Sequence, residues 1–444
     1  MGTFTAVRAC AVIGSLLAGA AAAQETRSFQ AIQVEGNARF TAGEIIETSG
    51  LATGTLMSED DIIAAVEALD YTGEFRDVRI FSRGEVLIIA VEEEPPYAGT
   101  LVFGLGYNTD EGVVGSGTVN VADVFRPGMT LSGGFDVSEE VQTLSAELSS
   151  QSFWGAERAG GVQAAFENYD YDSTTYDYRT ALVSPFRSYK LDDRTWVELR
   201  YALSTGDVRN VESNASPIIQ AEEGQLVSSG VGFSFLMGNV LAESSTEPRQ
   251  WMVRLDQDLT GLGGDTDYSR TELSLFGRAA LGQSGLAIRS RVEMGSVVAF
   301  AGGDEPRAPD RFALGGASLR GFEFGTVNPR DVCLDCRSDG GNIITNLGGN
   351  YYAVARTDLL MPSIPRLSGL ETFIFGDVGS AWDVRTDVAP AGVLEDALDW
   401  RSSAGVGVSW RTALGDFEGY YSLVENGQRY DEIQEFGLTF RTRF

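Results

Sequence analysis

Two patterns of hydrophobic and polar residues divide this chain of 444 residues. Before residue 95, apolar residues recur at helical spacing in some stretches and at strand spacing in others. From residue 97 onward, apolar and polar residues alternate along most segments, which is the period of a β-strand. The alternation predicts a larger, mainly β unit over residues 97–444 after a smaller mixed unit over residues 27–94.

The smaller unit is predicted to fold in the order β-α-α-β-β. Thr41 and Glu44 have the spacing of a capping box, in which each side chain bonds the backbone N–H of the other residue. Ser58 begins a second helix with a similar signal, and Ile62 and Leu69 then fall on one helical face. The predicted strands span residues 29–34, 75–81 and 86–91.

In the larger unit, one face of each strand is apolar. Leu101, Phe103 and Leu105 share one face of the first strand, and small residues occupy much of the other. The same alternation recurs in residues 197–203, 286–294 and 405–410. In a water-soluble sandwich such faces pack together, whereas in an outer-membrane barrel they face lipid and the polar faces line the lumen. Periodicity alone leaves both architectures open.

The first 23 residues have the composition of a secretory signal peptide. Arg8 is their only charge, an apolar run spans residues 11–17, and small residues fill 18–23. The pattern predicts cleavage after Ala23. No other stretch reaches the roughly 18 uninterrupted apolar residues that a membrane helix needs, so a membrane-embedded chain would cross as strands. The signal and the aromatic-rich apolar faces favour the membrane barrel.

Composition narrows the possible functions. The chain has 33 Lys and Arg against 63 Asp and Glu, a net charge of −30, which argues against a nucleic-acid partner because phosphate binding requires clustered cations. It contains no His, which removes the ordinary Ser-His-Asp and Cys-His catalytic systems. We therefore expect no enzymatic activity, no catalytic residues and no cofactor.

Cys333 and Cys336 remain after the signal segment, since Cys10 leaves with it. A C-x-x-C pair in an exported chain can form a local disulfide, bind a metal with outside ligands or act as a redox pair. The absence of His and of a second C-x-x-C disfavours zinc. We expect a disulfide that closes a small loop, and no metal site.

Two short motifs in the larger unit indicate a specific architecture. One is Leu319-Arg320-Gly321-Phe322, in a long polar segment from about residue 302 to 341, and the other is Phe375-Gly376-Asp377-Val378-Gly379, in a strand. Together they resemble the L/V-R-G-F and F-x-D-x-G motifs of the BamA/TamA family of outer-membrane assembly factors. The resemblance implies a 16-stranded antiparallel transmembrane β-barrel over residues 97–444, although the spacing alone also fits twelve or fourteen strands.

The resemblance also implies that the polar loop is locked inside the barrel. Arg320, with Gly321 and Phe322 beside it, is expected to bind Asp377 in the lumen. Asp358, at a position where the family usually has Glu, is the second expected partner. A guanidinium can meet a carboxylate through two parallel hydrogen bonds, so one Arg can fix a loop orientation where a Lys cannot.

Phe375 and Gly379 complete the strand motif. Phe373 and Phe375 share the strand parity of Asp377, so all three are expected to face the lumen. Inward aromatic residues would be unusual in an open, water-filled channel. They suit a lumen that is packed by an inserted loop.

A second resemblance lies in the smaller unit. It is carried by Val34-Glu35-Gly36-Asn37, Tyr71-Thr72-Gly73-Glu74-Phe75 and Val91-Glu92-Glu93-Glu94-Pro95, in the order β-α-α-β-β. These features are similar to those of a POTRA domain, the periplasmic module found before such barrels. Pro95 and Pro96 then mark the boundary with the barrel, because proline cannot continue a strand ladder.

The first and last strands form the other candidate site. Gly104 and Gly106 weaken the first strand, and the last strand is predicted over residues 436–444 with Phe440 and Phe444 on one face. A terminal Phe resembles the signal by which bacterial outer-membrane proteins are recognised for assembly. The glycines could equally relieve crowding inside the barrel, and the family resemblance favours a lateral gate at this seam.

The resemblance therefore implies an outer-membrane protein assembly, insertion or translocation factor. The POTRA domain, in the periplasm, would receive unfolded outer-membrane protein clients, and the barrel seam would insert them into the lipid. Accessory periplasmic or lipoprotein subunits are further expected partners. Alternatives are a two-partner-type secretion pore and a simple diffusion porin with an acidic, cation-preferring lumen.

Overall fold

The structure is a computed structural model. It describes residues 26–94, 99–125, 127–150, 159–171, 174–239, 249–300, 303, 305–337, 339–362, 367, 369–412 and 415–442. The signal segment 1–23, the Pro95-Pro96 joint and Phe444 lie outside the described residues. The chain divides into two compact units, of which the smaller includes residues 26–70 and 75–93.

The smaller unit is a three-stranded sheet with two helices. Its elements are β1 (Arg27–Ser28), β2 (Ala31–Glu35), α1 (Ala42–Ser49), β3 (Leu56–Met57), α2 (Glu59–Tyr71), β4 (Phe75–Arg83) and β5 (Val86–Glu93). β5 is central, parallel to β2 and antiparallel to β4. Ile45, Leu69 and Ile89 are buried in a common core. The predicted order β-α-α-β-β is confirmed, with the two-residue pair β1 and β3 in addition.

The predicted capping box begins α1. The backbone N–H of Glu44 donates to Thr41 Oγ1 at 3.3 Å, and the N–H of Thr41 donates to Glu44 Oε2 at 2.9 Å. The hydroxyl of Ser58 and the carboxylate of Asp61 are arranged in the same way before α2, so both helix starts are set by local side chains.

The larger unit is mainly β. In chain order its strands are β6 (Thr100–Asn108), β7 (Gly112–Ala122), β8 (Met129–Val137), β9 (Val141–Ser150), β10 (Gly160–Tyr169), β11 (Asp177–Asp192), β12 (Thr195–Arg209), β13 (Gly224–Gly238), β14 (Arg249–Gly264), β15 (Tyr268–Ala280), β16 (Ala287–Ala299), β17 (Gly321–Phe322), β18 (Arg330–Cys333), β19 (Ile343–Asn346), β20 (Tyr351–Leu360), β21 (Leu370–Trp382), β22 (Val393–Glu395), β23 (Arg401–Thr412), β24 (Gly415–Asn426), β25 (Ile433–Gln434) and β26 (Phe436–Arg441). A short helix α3 (Pro217–Ala221) and a 3-10 turn (Ala308–Asp310) lie in its loops.

Sixteen of the described strands close into an antiparallel barrel, which confirms the predicted fold class. The barrel contains β6 to β16 in sequence, followed by β20, β21, β23, β24 and β26, and β26 pairs with β6 to close it. The remaining short strands form two small sheets, β19-β18-β22 and β17-β25. The last strand was predicted over residues 436–444; among the described residues β26 spans Phe436–Arg441, and residues 443–444 lie outside them.

The apolar faces of the strands point outward. Leu101, Phe103 and Leu105 are exposed on the outer surface of β6, and Leu199 and Leu203 are exposed on β12. Polar and charged residues of the same strands point into the barrel, as alternation requires. Within the described residues, no helix is long and apolar enough to cross a membrane.

Strand direction defines two ends of the barrel. We call the end at which β6 finishes the loop end, because the longest connection, from β16 to β20, lies there. The opposite end is the turn end, where residues 193–194 join β11 to β12. The polar segment, predicted as a long loop, contains β17 and β18, which pair with segments far away in the sequence.

Candidate functional site

The Arg320 segment is shaped by a tight turn at the start of β17. The N–H of Gly316 donates to the carbonyl of Phe322 at 2.7 Å, which brings residues 317–321 into a compact hairpin. Gly321 has φ +97°, and a Cβ there would lie 2.6 Å from Ser422 Oγ and 3.1 Å from Ser403 Cβ. Both the backbone conformation and the space require glycine at this position.

Arg320 makes a two-pronged ion pair with Asp377 of β21. Its Nε donates to Asp377 Oδ2 and its Nη2 to Asp377 Oδ1, each at 2.7 Å. Arg320 is 7% exposed and Asp377 is 2% exposed, so the pair is shielded from water. Charge-assisted bonds in this geometry fix both position and orientation.

Asp358 of β20 forms the second contact. Arg320 Nη2 also donates to Asp358 Oδ1 at 2.8 Å, so the shorter carboxylate reaches the guanidinium. The other oxygen of Asp358 accepts from Nε of Arg289 at 2.9 Å. The hydroxyl of Ser403 donates to the carbonyl of Arg320 at 2.5 Å. Residues of the barrel strands β20, β21 and β23 thus bond Arg320 directly. A residue of a fourth barrel strand, β16, supports Asp358.

The inward aromatic residues pack against the guanidinium. The Arg320 Cζ lies 3.8 Å from the ring centroid of Phe375 and 5.7 Å from that of Phe373. Both rings are buried. An arginine plane on an aromatic ring gains electrostatic attraction without losing its in-plane hydrogen bonds. The shared parity of Phe373, Phe375 and Asp377 therefore places two rings beside the ion pair.

Phe322 and Gly379 contribute to an apolar cluster beside this site. Phe322 is fully buried with Leu314 and Val354. A Cβ on Gly379 would lie 3.1 Å from Val354 Cγ2 and 3.2 Å from Leu314 Cδ1. Gly379 therefore leaves the space into which the loop packs.

The loop is also joined to the segment before the last strand. Gly321 pairs with Gln434 and Phe322 with Ile433, which forms the β17-β25 sheet. The N–H of Glu323 donates to the carbonyl of Glu432 at 3.0 Å. A hydrogen bond between the two carboxyl groups, and then burial, raises the pKa of Glu323 to about 7.

A second buried ion cluster was missed by the sequence reasoning. Asp431 accepts from Arg330 Nη2 at 2.5 Å and from Arg401 Nε at 3.2 Å. All three side chains are buried, with at most 4% exposure. The cluster ties β18 and β23 to the last loop. No local motif could have revealed it, because Arg330 and Asp431 are 101 residues apart.

The closing seam of the barrel is short. Thr439, Phe440 and Arg441 of β26 pair with residues 106–108 of β6, which is the shortest ladder between described barrel strands. A Cβ on Gly106 would lie 2.6 Å from the carbonyl of Phe440. At Gly104 a Cβ would lie 2.3 Å from the hydroxyl of Ser116 and 3.0 Å from the carbonyl of Thr442. Both glycines therefore allow close approach at or beside the seam.

The two cysteines lie apart from the ion pair of Arg320 and Asp377. Cys333 ends β18, and the structure pairs it with Cys336 as a disulfide whose Cα atoms are 5.6 Å apart. The pair closes the turn that follows β18. Neither cysteine is among the described residues that line the cavity beside Arg320.

A closed sixteen-stranded barrel with an apolar outer surface and a charged, loop-bearing lumen is the architecture of an outer-membrane β-barrel protein. The Omp85 superfamily domain matches residues 124–444, and the chain belongs to this superfamily. This match and the curated BamA relatives bear out the predicted resemblance to the BamA/TamA family. The protein is accordingly located in the bacterial outer membrane.

Two curated relatives bear the name outer membrane protein assembly factor BamA. The protein from Neorickettsia risticii is 24% identical over 396 residues, which cover 86% of this chain and 50% of that protein. The protein from Neisseria meningitidis is 28% identical over 175 residues, which cover 34% of this chain and 21% of that protein. The chain thus matches half or less of the length of these relatives.

Solved structures show the same fold. BamA from Haemophilus ducreyi lacking POTRA domains 1–3 aligns with a TM-score of 0.73 at 19% identity, covering 94% of this chain and 84% of that one. CdiB from Acinetobacter baumannii aligns with a TM-score of 0.55 at 11% identity, covering 94% and 74% respectively. At these identities the likeness concerns the barrel fold.

Proposed function

We propose that this protein inserts other β-barrel proteins into the outer membrane through the seam between β6 and β26. Residues 27–94 act as a periplasmic POTRA domain that receives unfolded clients, and accessory periplasmic or lipoprotein subunits assist it. The observation that carries the proposal is the three-pair closing ladder. The names of the two curated relatives, assembly factors of this membrane, support it.

Within the described residues, the seam leaves residues 100–104 of β6 without a backbone partner on the β26 side, where a new strand could pair. Residues 100–105 are paired with β7 on one side, whereas on the β26 side Leu105 is the earliest residue with a described backbone partner, Thr442. An unpaired strand edge in lipid costs several kcal/mol per polar group, so it favours addition of a client strand. Pairing of this kind needs backbone bonds and little sequence specificity, which suits a factor with many clients.

The contacts of Arg320 with Asp358 and Asp377, which we call the Arg320 lock, keep the loop inside the barrel while a client strand is inserted at the seam. Without the guanidinium, the buried Asp377 would lose its described ion-pair partner and Asp358 would keep only its contact with Arg289, and burial of unpaired charge is strongly unfavourable. The β17-β25 pairing then joins the locked loop to the residues immediately before β26. We infer that loop insertion positions the last strand, and so sets how readily the seam opens.

The filled lumen favours assembly over a simple diffusion porin. Loop residues Leu319, Phe322 and Val327 are fully buried, so the loop occupies space that a porin would leave to water. The likeness of fold to CdiB keeps a two-partner-type secretion pore as the second candidate. That function requires the loop to leave the lumen, whereas strand insertion at the seam does not.

In either role, we propose that Cys333 and Cys336 form a disulfide that shortens the loop after β18.

The test is folding of an unfolded client barrel into liposomes that contain the purified protein, followed by the shift in mobility of the folded client on unheated gels. We expect faster folding than in empty liposomes, and loss of the acceleration when residues 27–94 are deleted. Steady conductance in planar bilayers without any acceleration of folding would instead identify a porin.

A cross-link across the seam tests the route. Tyr107 and Phe440 are directly opposite on the outer surface, so cysteines at both positions can form a disulfide. The matched control places cysteines at Leu199 and Phe233, which are opposite each other in β12 and β13. In a background with Ser at 333 and 336, oxidation should stop client folding only in the seam variant, and reduction should restore it. Equal activity of the oxidised seam variant would exclude this route.

A further inference from the structure

The tip of the Arg320 loop lies against the turn that joins β6 to β7. This turn lies at the loop end and begins directly after Asn108, the last residue of β6. A Cβ on Gly316 would lie 2.4 Å from Oδ2 of Asp110, so the carboxylate is in contact with the tip of the loop. Asp110 and Ala317 also line a common cavity of about 420 Å³ beside Arg320. The loop therefore reaches the first strand of the barrel as well as the strands that bind Arg320.

Asp110 is held in place by its own turn. The side chain of Asn108 accepts a hydrogen bond from the N–H of Asp110 at 2.9 Å and another from the N–H of Glu111 at 2.7 Å. An Asn side chain that bonds the backbone two residues further on forms an Asx turn, which fixes the local conformation. Because Asn108 pairs with Thr439 of β26, the turn connects Asp110 directly to the closing ladder of the seam.

Ala317, at the tip of the loop, is held from two sides. Its carbonyl accepts a hydrogen bond from Nη1 of Arg356, a residue of β20, at 2.5 Å. Its N–H faces the carboxylate of Asp110. Burial raises the pKa of Asp110, and hydrogen bonding with the side chain of Gln434 and with this N–H opposes the rise. One short segment of the loop thus bridges β20 and the turn after β6.

The loop crosses the inner side of the seam. The strands that carry the carboxylates bound to Arg320 precede β26 in the barrel order, and β6 follows it. On the way the loop contacts β24, where a Cβ on Gly321 would lie 2.6 Å from Ser422 Oγ. It also contacts β25, where Gly321 pairs with Gln434. The loop end of the seam is therefore fastened from the β26 side by β25 and from the β6 side by Asp110.

We propose that Asp110 is a positioning residue for strand insertion: its contacts with Gly316, Ala317 and Gln434 fasten the loop end of β6 to the locked loop, so that the Arg320 lock controls how readily β6 separates from β26. This proposal rests on the insertion of clients at the seam proposed above. The contacts of Asp110 with these three residues are called the Asp110 clasp.

A single carboxylate can control the seam because the ladder is short. Only three pairs join β26 to β6, and they involve residues 106–108, next to the turn that carries Asp110. A hydrogen bond to a charged group is roughly twice as strong as one between neutral groups, so the Asp110 clasp is comparable in strength with part of the ladder itself. Release of the loop removes the clasp, and the first strand is then held by the ladder alone.

The test is hydrogen exchange of the purified protein in nanodiscs without a client. In Asp110→Ala, exchange of residues 105–108 and 439–441 should be about tenfold or more faster than in the wild type, because a charge-assisted hydrogen bond is lost. Exchange of residues 199–203 in β12 should not change. Added protease should still fail to cleave residues 315–337, since that loop remains locked.

Two further variants separate the clasp from a general effect of replacing an acid. The carbonyl oxygen of Asp110→Asn can still accept from the N–H of Ala317, so this variant should restore most of the protection at the seam. Glu139→Ala is the matched control, because Glu139 is an exposed acid in the turn between β8 and β9 at the same end of the barrel. Exchange at the seam in Glu139→Ala should equal that of the wild type.

A double variant tests whether the lock acts on the seam through Asp110. Arg320→Ala alone should also speed exchange at the seam, because the loop that Asp110 contacts is released. The combination of Asp110→Ala with Arg320→Ala should exchange at the seam no faster than Arg320→Ala alone, since changes within one connected set of contacts are not additive.

Three results would each overturn the proposal: equal seam exchange in Asp110→Ala and Glu139→Ala, additive effects of the two changes, or faster exchange throughout the barrel. Unheated gel mobility shows that the variants are folded. If Asp110→Ala does not fold, Gly316→Ala takes its place with the same expected results, since the new Cβ displaces the carboxylate. Failure of the protein to accelerate client folding would instead overturn the insertion function, because the exchange measurement uses no client.

Discussion

Asp377 of β21 accepts both of its ion-pair hydrogen bonds from Arg320, a residue 57 positions earlier in a loop between other strands. The contact is buried, two-pronged and backed by the ring of Phe375. Because a loop normally has many alternative positions, a single contact of this kind removes most of its freedom. Much of the expected behaviour of the protein depends on this pair.

Replacing Arg320 with Ala should release the loop. The variant removes the described ion-pair partner of the buried Asp377 and leaves Asp358 with Arg289 alone, and breaking a buried pair costs about 3–5 kcal/mol. We expect cleavage of residues 315–337 by added protease in the folded barrel, and slower client folding. Arg320→Lys should show a smaller effect, since it keeps the charge and loses the two-pronged geometry.

Arg429→Ala is the control for that comparison, because Arg429 is an exposed arginine in the last loop, with its Cζ 5.3 Å from the ring centroid of Tyr430. Its protease pattern and activity should match those of the wild type. If Arg320→Ala gave the same pattern as Arg429→Ala, the loop would be held by other contacts and the lock would be wrong.

Gly321→Ala should destabilise the lock sterically. The new Cβ would lie 2.6 Å from Ser422 Oγ, and the residue would keep a φ of +97°. Gly325→Ala is matched for backbone strain, with φ +75°, but a Cβ there has nothing within 4 Å. Gly325→Ala should lower stability by about 1 kcal/mol through strain alone. The thermal unfolding temperature should fall further in Gly321→Ala than in Gly325→Ala, and the difference measures the steric clash. Equal falls in the two variants would contradict a clash at Gly321.

Asp431→Ala should detach the last loop from β18 and β23. It leaves Arg330 and Arg401 as buried cations without their shared carboxylate, a change that we expect to cost about 3 kcal/mol or more. Hydrogen exchange of residues 427–435 should speed up markedly. Asp339→Ala removes an acid from an exposed pair with Arg337 and should leave exchange in that loop unchanged. Exchange that is equally slow in both variants would show that the buried cluster does not hold the loop.

The β17-β25 contact should weaken as the pH rises toward neutral. The pKa of Glu323 is raised from 4.5 to about 7, first by its hydrogen bond with Glu432 and then by burial. The folded state therefore binds a proton more tightly than the unfolded state, so the stabilisation is full below about pH 4.5 and is lost as the pH rises through about 7. Hydrogen exchange at residues 321–323, corrected for its intrinsic pH dependence, should be slower at about pH 5.5 than at about pH 8.

Glu323→Gln provides the control for the pH experiment. The amide can donate to Glu432 at every pH, so protection of residues 321–323 should lose most of its pH dependence. If hydrogen exchange in this variant kept its full pH dependence, the dependence would come from groups other than Glu323. Asp110 and Glu140, which also raise the pKa of Glu323, would be the next groups to replace.

Sequence motifs predicted the two central residues of the site because each occurs in a distinctive local pattern. The parity of residues 373–377 predicted that Phe373, Phe375 and Asp377 share a face, and they do. The sequence did not determine whether Asp358 contacts Arg320. Only the position of β20 beside β21 decides whether this shorter side chain reaches the guanidinium. The cluster of Arg330, Arg401 and Asp431 had no sequence signal, and it was found only in the structure.

Local periodicity and local capping determined a mixed N-terminal unit, a series of two-faced strands and the places where loops begin. These properties depend on residues within a few positions of one another, so they are readable along the chain. The tertiary structure decided which faces point outward, that β26 closes on β6 through three pairs, and which distant charges meet. The physical reason is that closure and ion pairing depend on distances between segments up to hundreds of residues apart, about which neighbouring residues carry no information.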